Sequence, residues 1–212
     1  MLLDKNKALK LIHLLNKKIK KPKTSLKYRN QFTLLTSVVL SAQCSDVSVN
    51  KVTKNIYKKY YRPEHFVALK INKIKNLIKN IGLFNNKAKN IYNLSKILIT
   101  KHKSKVPNCF DQLIQLPGVG RKTANVVLNV AFNKPTIAVD THVFRVCNRT
   151  GLSDGKNPEQ VEKQLLKLLP KKLLFKAHHL ILLHGRYTCK ARSPLCKTCI
   201  INQICINKNK YE

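Results

Sequence analysis

The sequence predicts an all-α fold built from about ten short helices. Three observations predict it. Apolar residues recur at helical spacing along most of the chain. Strand-like alternation is almost absent. The breaks between periodic segments fall at proline, glycine and short polar residues that begin or end helices.

The first segment, Leu2 to Ile19, places Ala8, Leu11, Ile12, Leu15 and Ile19 on one face and lysines on the other. Residues 22 to 30 read as a loop. Phe32 to Leu40 is an almost unbroken apolar run, too short for a membrane span and suited to a buried core helix. Ser45 or Asp46 can cap the next helix, which runs towards Tyr60. Pro63 opens a segment that continues to about Asn80. The stretch Ile81-Gly82-Leu83-Phe84 breaks the pattern, with Gly82 the expected helix end. Ala88 to Thr100 is helical again. A short helix is expected at Asp111 to Gln115 and a longer one from Arg121 to Phe132. Another begins near Asp140. Asn157-Pro158-Glu159 has the chemistry of a capped helix start, and that helix stops by Pro170. The last helix spans roughly Leu173 to Tyr187, ahead of a cysteine-rich tail.

With 43% apolar residues the chain can bury a core, which excludes a disordered tail. No apolar run reaches the roughly 20 residues of a bilayer span. The first ten residues carry Asp4, Lys5, Lys7 and Lys10, unlike a signal peptide. No membrane association is therefore expected, and the chain is expected to be cytoplasmic. There are 42 Lys and Arg against 9 Asp and Glu, a net charge of +33. Such a surface attracts polyanions, nucleic acid first among them. AT-rich coding also enriches Lys, Asn and Ile, so charge names a partner class and no reaction.

Three constellations carry chemistry. In Leu116-Pro117-Gly118-Val119-Gly120-Arg121-Lys122 a short helix, a two-glycine turn and a second helix form a hairpin. Glycines allow a tight turn and close backbone approach. The second helix presents free N–H groups and a positive dipole end. An ordinary helix turn would look similar, but Leu-Pro before and Arg-Lys after favour phosphate binding through Gly118, Val119, Gly120 and Arg121. The second is Cys189-x6-Cys196-x2-Cys199-x5-Cys205. Four thiolates at this density can hold zinc or a [4Fe–4S] cluster, and spacing alone leaves both open. Lys190, Arg192 and Lys197 lie in the same loop, where a metal could hold them against DNA phosphates. The third is Val139-Asp140-Thr141-His142. A lone Asp before a helix is usually a cap, but carboxylates are scarce in this chain.

Taken together, residues 116–128, 139–149 and the four-cysteine tail resemble the endonuclease III family of helix–hairpin–helix, iron–sulfur DNA glycosylases. The resemblance extends to Leu40-Ser41-Ala42-Gln43, to Asp46-Val47-Ser48-Val49-Asn50, to Ile81-Gly82-Leu83 and to His184-Gly185-Arg186-Tyr187-Thr188-Cys189. It runs in order through nearly the whole chain. It implies a bifunctional DNA glycosylase and AP lyase of base excision repair that removes oxidised pyrimidines from damaged double-stranded DNA. Lys122 would be the nucleophile that forms a Schiff base at C1′, followed by β-elimination on the 3′ side. An amine must be neutral to attack, which partial burial and neighbouring cations would favour. Asp140 would stabilise positive charge or relay protons. Gln43 and Leu83 would probe or wedge the duplex as the nucleotide flips out, while Ile81 fits either that role or the core. Cys189, Cys196, Cys199 and Cys205 would hold one structural [4Fe–4S] cluster. Cys44 departs from the family pattern, in which a small or hydroxylated residue follows the glutamine, and is not expected to be a ligand.

The resemblance also implies two helical domains with a cleft between them. Residues 24–134 would carry the hairpin, at about 109–132. Residues 1–23 and 135–212 would form a discontinuous domain with the cluster loop 189–205, so that Lys122 and Asp140 face one another across the groove. The protein would act as a nucleoid-associated monomer. Adenine- and thymine-mismatch glycosylases of the same superfamily replace the lysine, and the former add a C-terminal domain. Lys122, and the seven residues that follow Cys205, fit neither. A DNA-binding module without catalysis would explain the hairpin but not Lys122 together with Asp140.

Overall fold

The computed structural model describes residues 2–207. Among these the chain is all-α, with ten helices and no strand. The helices are α1 (Lys5–Lys18), α2 (Gln31–Leu40), α3 (Asp46–Lys59), α4 (Pro63–Ile78), α5 (Phe84–His102), α6 (Phe110–Ile114), α7 (Arg121–Phe132), α8 (Thr141–Thr150), α9 (Pro158–Leu168) and α10 (Lys171–Tyr187). No helix among the described residues is long and apolar enough to cross a membrane. The chain divides into two compact units: Ser25–Phe132, and Met1–Thr24 with Asn133–Glu212. Residue 1 and residues 208–212 of the second expected domain lie outside the described residues.

In the unit Ser25–Phe132, α2 is the central helix. Every residue from Phe32 to Leu40 is buried, and α3, α5 and α7 pack around it. Its apolar run is thus a core helix surrounded by protein. A reciprocal cap starts it: the Asn30 side chain accepts the Thr33 amide at 2.9 Å, and Thr33 Oγ1 accepts the Asn30 amide at 2.9 Å. Beside it, Ser37 Oγ and the Tyr57 hydroxyl pair at 2.8 Å. Burial pushes the Tyr57 phenol well above its ordinary pKa, so it serves as a neutral hydrogen-bonding group.

Two features of this unit differ from the sequence expectation. α4 is interrupted at Lys70, whose φ of 57° lies outside the helical region, although no glycine or proline marks the break. At the next boundary Gly82 is not the left-handed residue; Leu83 is, with φ 59°. Ile78 and Ile81, on either side of the helix end, are both buried.

In the other unit α1 packs on α10, and α10 on α8. Ala8, Leu11, Ile12 and Leu15 meet a core that includes Val143, Val146, Leu174, Ala177, Leu180 and Ile181. The Leu3 amide also donates to the Gly151 carbonyl at 2.8 Å. Burial of each of the larger aliphatic side chains among these contributes about 1.5–3 kcal/mol, which explains how the N-terminal segment joins a distant part of the chain. At Gly185 a Cβ would stand 2.9 Å from Val146 Cγ2 and 3.0 Å from His142 Cβ, so glycine permits the close approach of α10 to α8.

Candidate functional site

The hairpin forms as α6, a turn and α7. Leu113, Leu116 and Val119 are buried and anchor the turn in the core. The Val119 amide donates to the Leu116 carbonyl at 3.0 Å, and the Ala124 amide to the Gly120 carbonyl at 2.9 Å. Val119 therefore closes the turn with its amide and fills the core with its side chain. Gly118 has φ +79°, and a Cβ there would lie 2.8 Å from Asn90 Nδ2. A Cβ on Gly120 would meet nothing within 4 Å. The first glycine is required by the fold. The second leaves open space beside the start of α7, where a phosphate can approach. The Arg121 guanidinium lies 5.1 Å from the Phe110 ring centroid, which steadies it across the hairpin. Lys122 follows in the first turn of α7 and is exposed, not partly buried.

Two loops of the same unit lie against each other. The loop after α2 carries Gln43, exposed and left-handed at φ 52°. The loop before α5 carries Leu83, which is 57% exposed, a large exposure for a leucine. Between them, a Cβ on Gly82 would be 4.0 Å from the Gln43 carbonyl oxygen. Ile81 is buried and belongs to the core.

In the other unit Asp140 caps α8, with Oδ1 accepting the Val143 amide at 2.8 Å. The cysteine loop is tied to α8 by two arginines. Arg145 Nε donates to the Cys189 carbonyl at 3.1 Å and Nη2 to the Gly185 carbonyl at 2.8 Å. Arg149 donates to the Lys190 carbonyl at 2.6 Å and the Ala191 carbonyl at 2.9 Å. Lys190, Arg192 and Lys197 remain exposed on this loop.

The four cysteines are each partly buried, and Cys189 and Cys199 pack against the core. Burial raises the Cys199 and Cys205 thiols, and the neighbouring thiols push the same way. Thiolates so placed call for a compensating cation. Among the described residues no three His, Cys, Asp or Glu side chains gather closely enough to hold a single metal ion. Four thiols within residues 189–205 are a donor set that either a zinc ion or an iron–sulfur cluster can use.

The chain matches the family model described as "HhH-GPD superfamily base excision DNA repair protein" over residues 36–171. It is 55% identical over 196 residues to endonuclease III of Rickettsia conorii, covering 92% of this chain and 93% of that one. With endonuclease III of Escherichia coli K12 the identity is 49% over 210 residues, covering 99% and 100%. A solved structure of a trapped endonuclease III–DNA covalent intermediate superposes with a TM-score of 0.93 at 44% identity, covering 99% of each chain. The chain belongs to the endonuclease III family. It is a DNA glycosylase/AP lyase of base excision repair.

Several residues that organise this endonuclease III fold had no individual role assigned from the sequence, although Arg149 and His184 fall in segments that carry the resemblance. Lys87 sits under the Gln43 loop, Arg149 holds the cysteine loop, and His184 Nε2 lies 3.7 Å from Cys199 Sγ. Burial lowers the His184 pKa to about 4, with Lys18 adding to the effect, so its ring is neutral at pH 7. Such residues have no local pattern; in a lysine-rich chain only tertiary burial sets Lys87 apart.

Proposed function

We propose that this chain excises oxidised pyrimidines from damaged duplex DNA and then cuts the strand 3′ to the abasic site. The observation that carries this reading is the place of Lys122. It lies in the first turn of α7, next to the backbone amides and the open approach at Gly120 that suit a phosphate. The relative solved as a trapped covalent intermediate with DNA supports covalent chemistry over simple hydrolysis.

In this reading the hairpin backbone and Arg121 fix the sugar–phosphate chain without reading sequence. Gln43 and Leu83 enter the duplex as the damaged nucleotide leaves the stack, the amide pairing with the widowed base and the leucine occupying the gap. The lone pair of Lys122 Nζ then bonds to C1′ as the N-glycosidic bond breaks, and the base departs with its electron pair and a proton. Ring opening leaves an iminium between Nζ and C1′. This acidifies the C2′ protons; loss of one breaks the C3′–O bond and cuts the strand. The carboxylate of Asp140 stabilises positive charge at the sugar and relays protons. The exposure of Lys122 in the free protein means that desolvation at this amine must come from bound DNA.

Cys189, Cys196, Cys199 and Cys205 would hold one [4Fe–4S] cluster, which supplies rigidity to residues 189–205 and takes no part in the reaction. The exposed Lys190 and Arg192 would then meet phosphates. Iron with inorganic sulfide in the purified protein, and visible absorption lost in Cys199→Ser, would support the cluster; zinc without iron would refute it. The experiment that tests the catalytic reading is borohydride trapping on duplexes carrying a panel of oxidised pyrimidines. Wild type should become covalently linked to DNA. Lys122→Gln should bind the same duplexes without linking or nicking them. Trapping by Lys122→Gln would show that another group is the nucleophile.

A further inference from the structure

Lys87 is 4% exposed, although its side chain carries an ammonium. Its Nζ donates to the Leu40 carbonyl at 2.9 Å and to the Ala42 carbonyl at 2.6 Å. These are carbonyls at and just beyond the C-terminus of α2. The other carbonyls of that turn are taken locally: the Ser41 amide donates to Ser37 and Val38, and the Ala42 amide to Val39. The Leu40 and Ala42 carbonyls lie at the C-terminal, negative end of α2, where a cation is favoured. The backbone amide of Lys87 also donates to the Leu83 carbonyl at 3.1 Å. That bond is the first helical hydrogen bond of α5, so Lys87 sits one turn beyond Leu83 while its side chain reaches across to hold the Gln43 loop. Both segments contain a non-glycine residue in left-handed backbone, Gln43 and Leu83, which persists only when the surroundings hold it.

We propose that Lys87 is a positioning residue that holds Gln43 in register with Leu83, so that both enter the duplex together. The proposal rests on the reading of Gln43 and Leu83 as duplex-probing residues. Burial lowers the Lys87 pKa, with Cys44 acting in the opposite direction. A buried cation here is costly, and the two carbonyls offset that cost. An uncharged residue of the same length would fill the space but leave both carbonyls unpaired. The Gln43 loop would then lose its anchor while α2 and α5 stay packed.

The test compares borohydride-trapping rates on one abasic-site oligonucleotide, presented as duplex and as single strand. The single strand needs no base displaced and no gap filled, so the duplex-to-single-strand ratio reports the probing loops alone. Lys87→Met should lower that ratio about tenfold or more. Lys87→Arg, which keeps a cation and donors, should restore most of it. Gln43→Ala should lower the ratio as well, and the double variant should fall no further than the worse single variant. If Lys87→Met does not fold, Lys87→Gln, which retains one amide donor, is read in the same way and should give an intermediate ratio. A lowered ratio in Gln43→Ala with an unchanged ratio in the Lys87 variant overturns the positioning role and leaves the probing role standing. Equal loss on both substrates in Lys87→Met also overturns it, because a general structural defect would act that way. An unchanged ratio in Gln43→Ala removes the probing role itself, and the positioning role with it.

Discussion

One carboxylate oxygen of Asp140 accepts the Val143 amide at 2.8 Å, so the residue that would stabilise charge at the sugar is also the cap of α8. Only Oδ1 is used in this bond, which leaves Oδ2 available to a ligand. The two roles separate by substitution. Asn caps a helix about as well as Asp, so Asp140→Asn should change stability by less than about 0.5 kcal/mol. Its strand cleavage should nevertheless fall by about 10²–10⁴-fold. Asp140→Ala should lose both the activity and about 1 kcal/mol of stability. Thermal unfolding and single-turnover cleavage together check this. Wild-type cleavage by Asp140→Asn would reduce Asp140 to a cap.

The two hairpin glycines should respond in opposite ways. Gly118→Ala adds a Cβ at φ +79° and within 2.8 Å of Asn90, so it should destabilise the protein by about 1 kcal/mol or more. Gly120→Ala adds a methyl group in open space and should leave the melting temperature unchanged. That methyl stands where a phosphate would approach, so Gly120→Ala should instead weaken duplex binding. Melting curves and equilibrium binding at fixed salt would show the crossover.

The net charge of +33 makes salt dependence informative. Each phosphate contact adds about 0.9 to the slope of log affinity against log salt. Lys190→Ala and Arg192→Ala should each reduce that slope by about 1, if the cysteine loop lies on DNA. Arg149→Ala removes the bonds at 2.6 and 2.9 Å that fix Lys190 and Ala191, and should weaken binding through the same loop. Its effect should not add to that of Lys190→Ala. Additive losses would mean that Arg149 does not act through this loop.

His179 is buried on α10, its ring 4.8 Å from that of His178. Burial lowers its pKa, opposed by the Phe175 carbonyl. Well above the ordinary value of about 6.5 the ring is neutral in both folded and unfolded chains, and it contributes nothing to pH dependence there. As pH falls below the ordinary value of about 6.5, the unfolded chain takes up a proton that the fold resists. Stability should therefore fall on acidification from that point. His179→Gln should show a shallower fall in unfolding midpoint between about pH 6.5 and 5 than wild type. Equal slopes would show that His179 is not the titrating group.

Much of the fold was legible because its signals are local. The apolar run of α2, the Asn157-Pro158 start of α9 and the amphipathic α1 follow from short-range sterics and periodicity, which act within a turn or two of helix. The hairpin was legible for the same reason, since Gly118 must adopt a backbone that other residues avoid. Its partner, Asn90, lies far away in sequence and is visible only in the fold.

Reading residues alone is enough to see a helical, basic chain with Lys122, Asp140 and four clustered cysteines in a recognisable order. Tertiary structure decided what composition conceals. Among many lysines it buried Lys87 under two carbonyls and left Lys122 exposed. It placed the left-handed backbone at Leu83 and not at Gly82, a choice that local propensity alone does not make. It also gave Arg145 and Arg149 their hold on a loop some forty residues away. The physical reason is the same in each case. Propensity acts over a few residues, whereas desolvation and hydrogen-bond satisfaction depend on neighbours that only folding brings together.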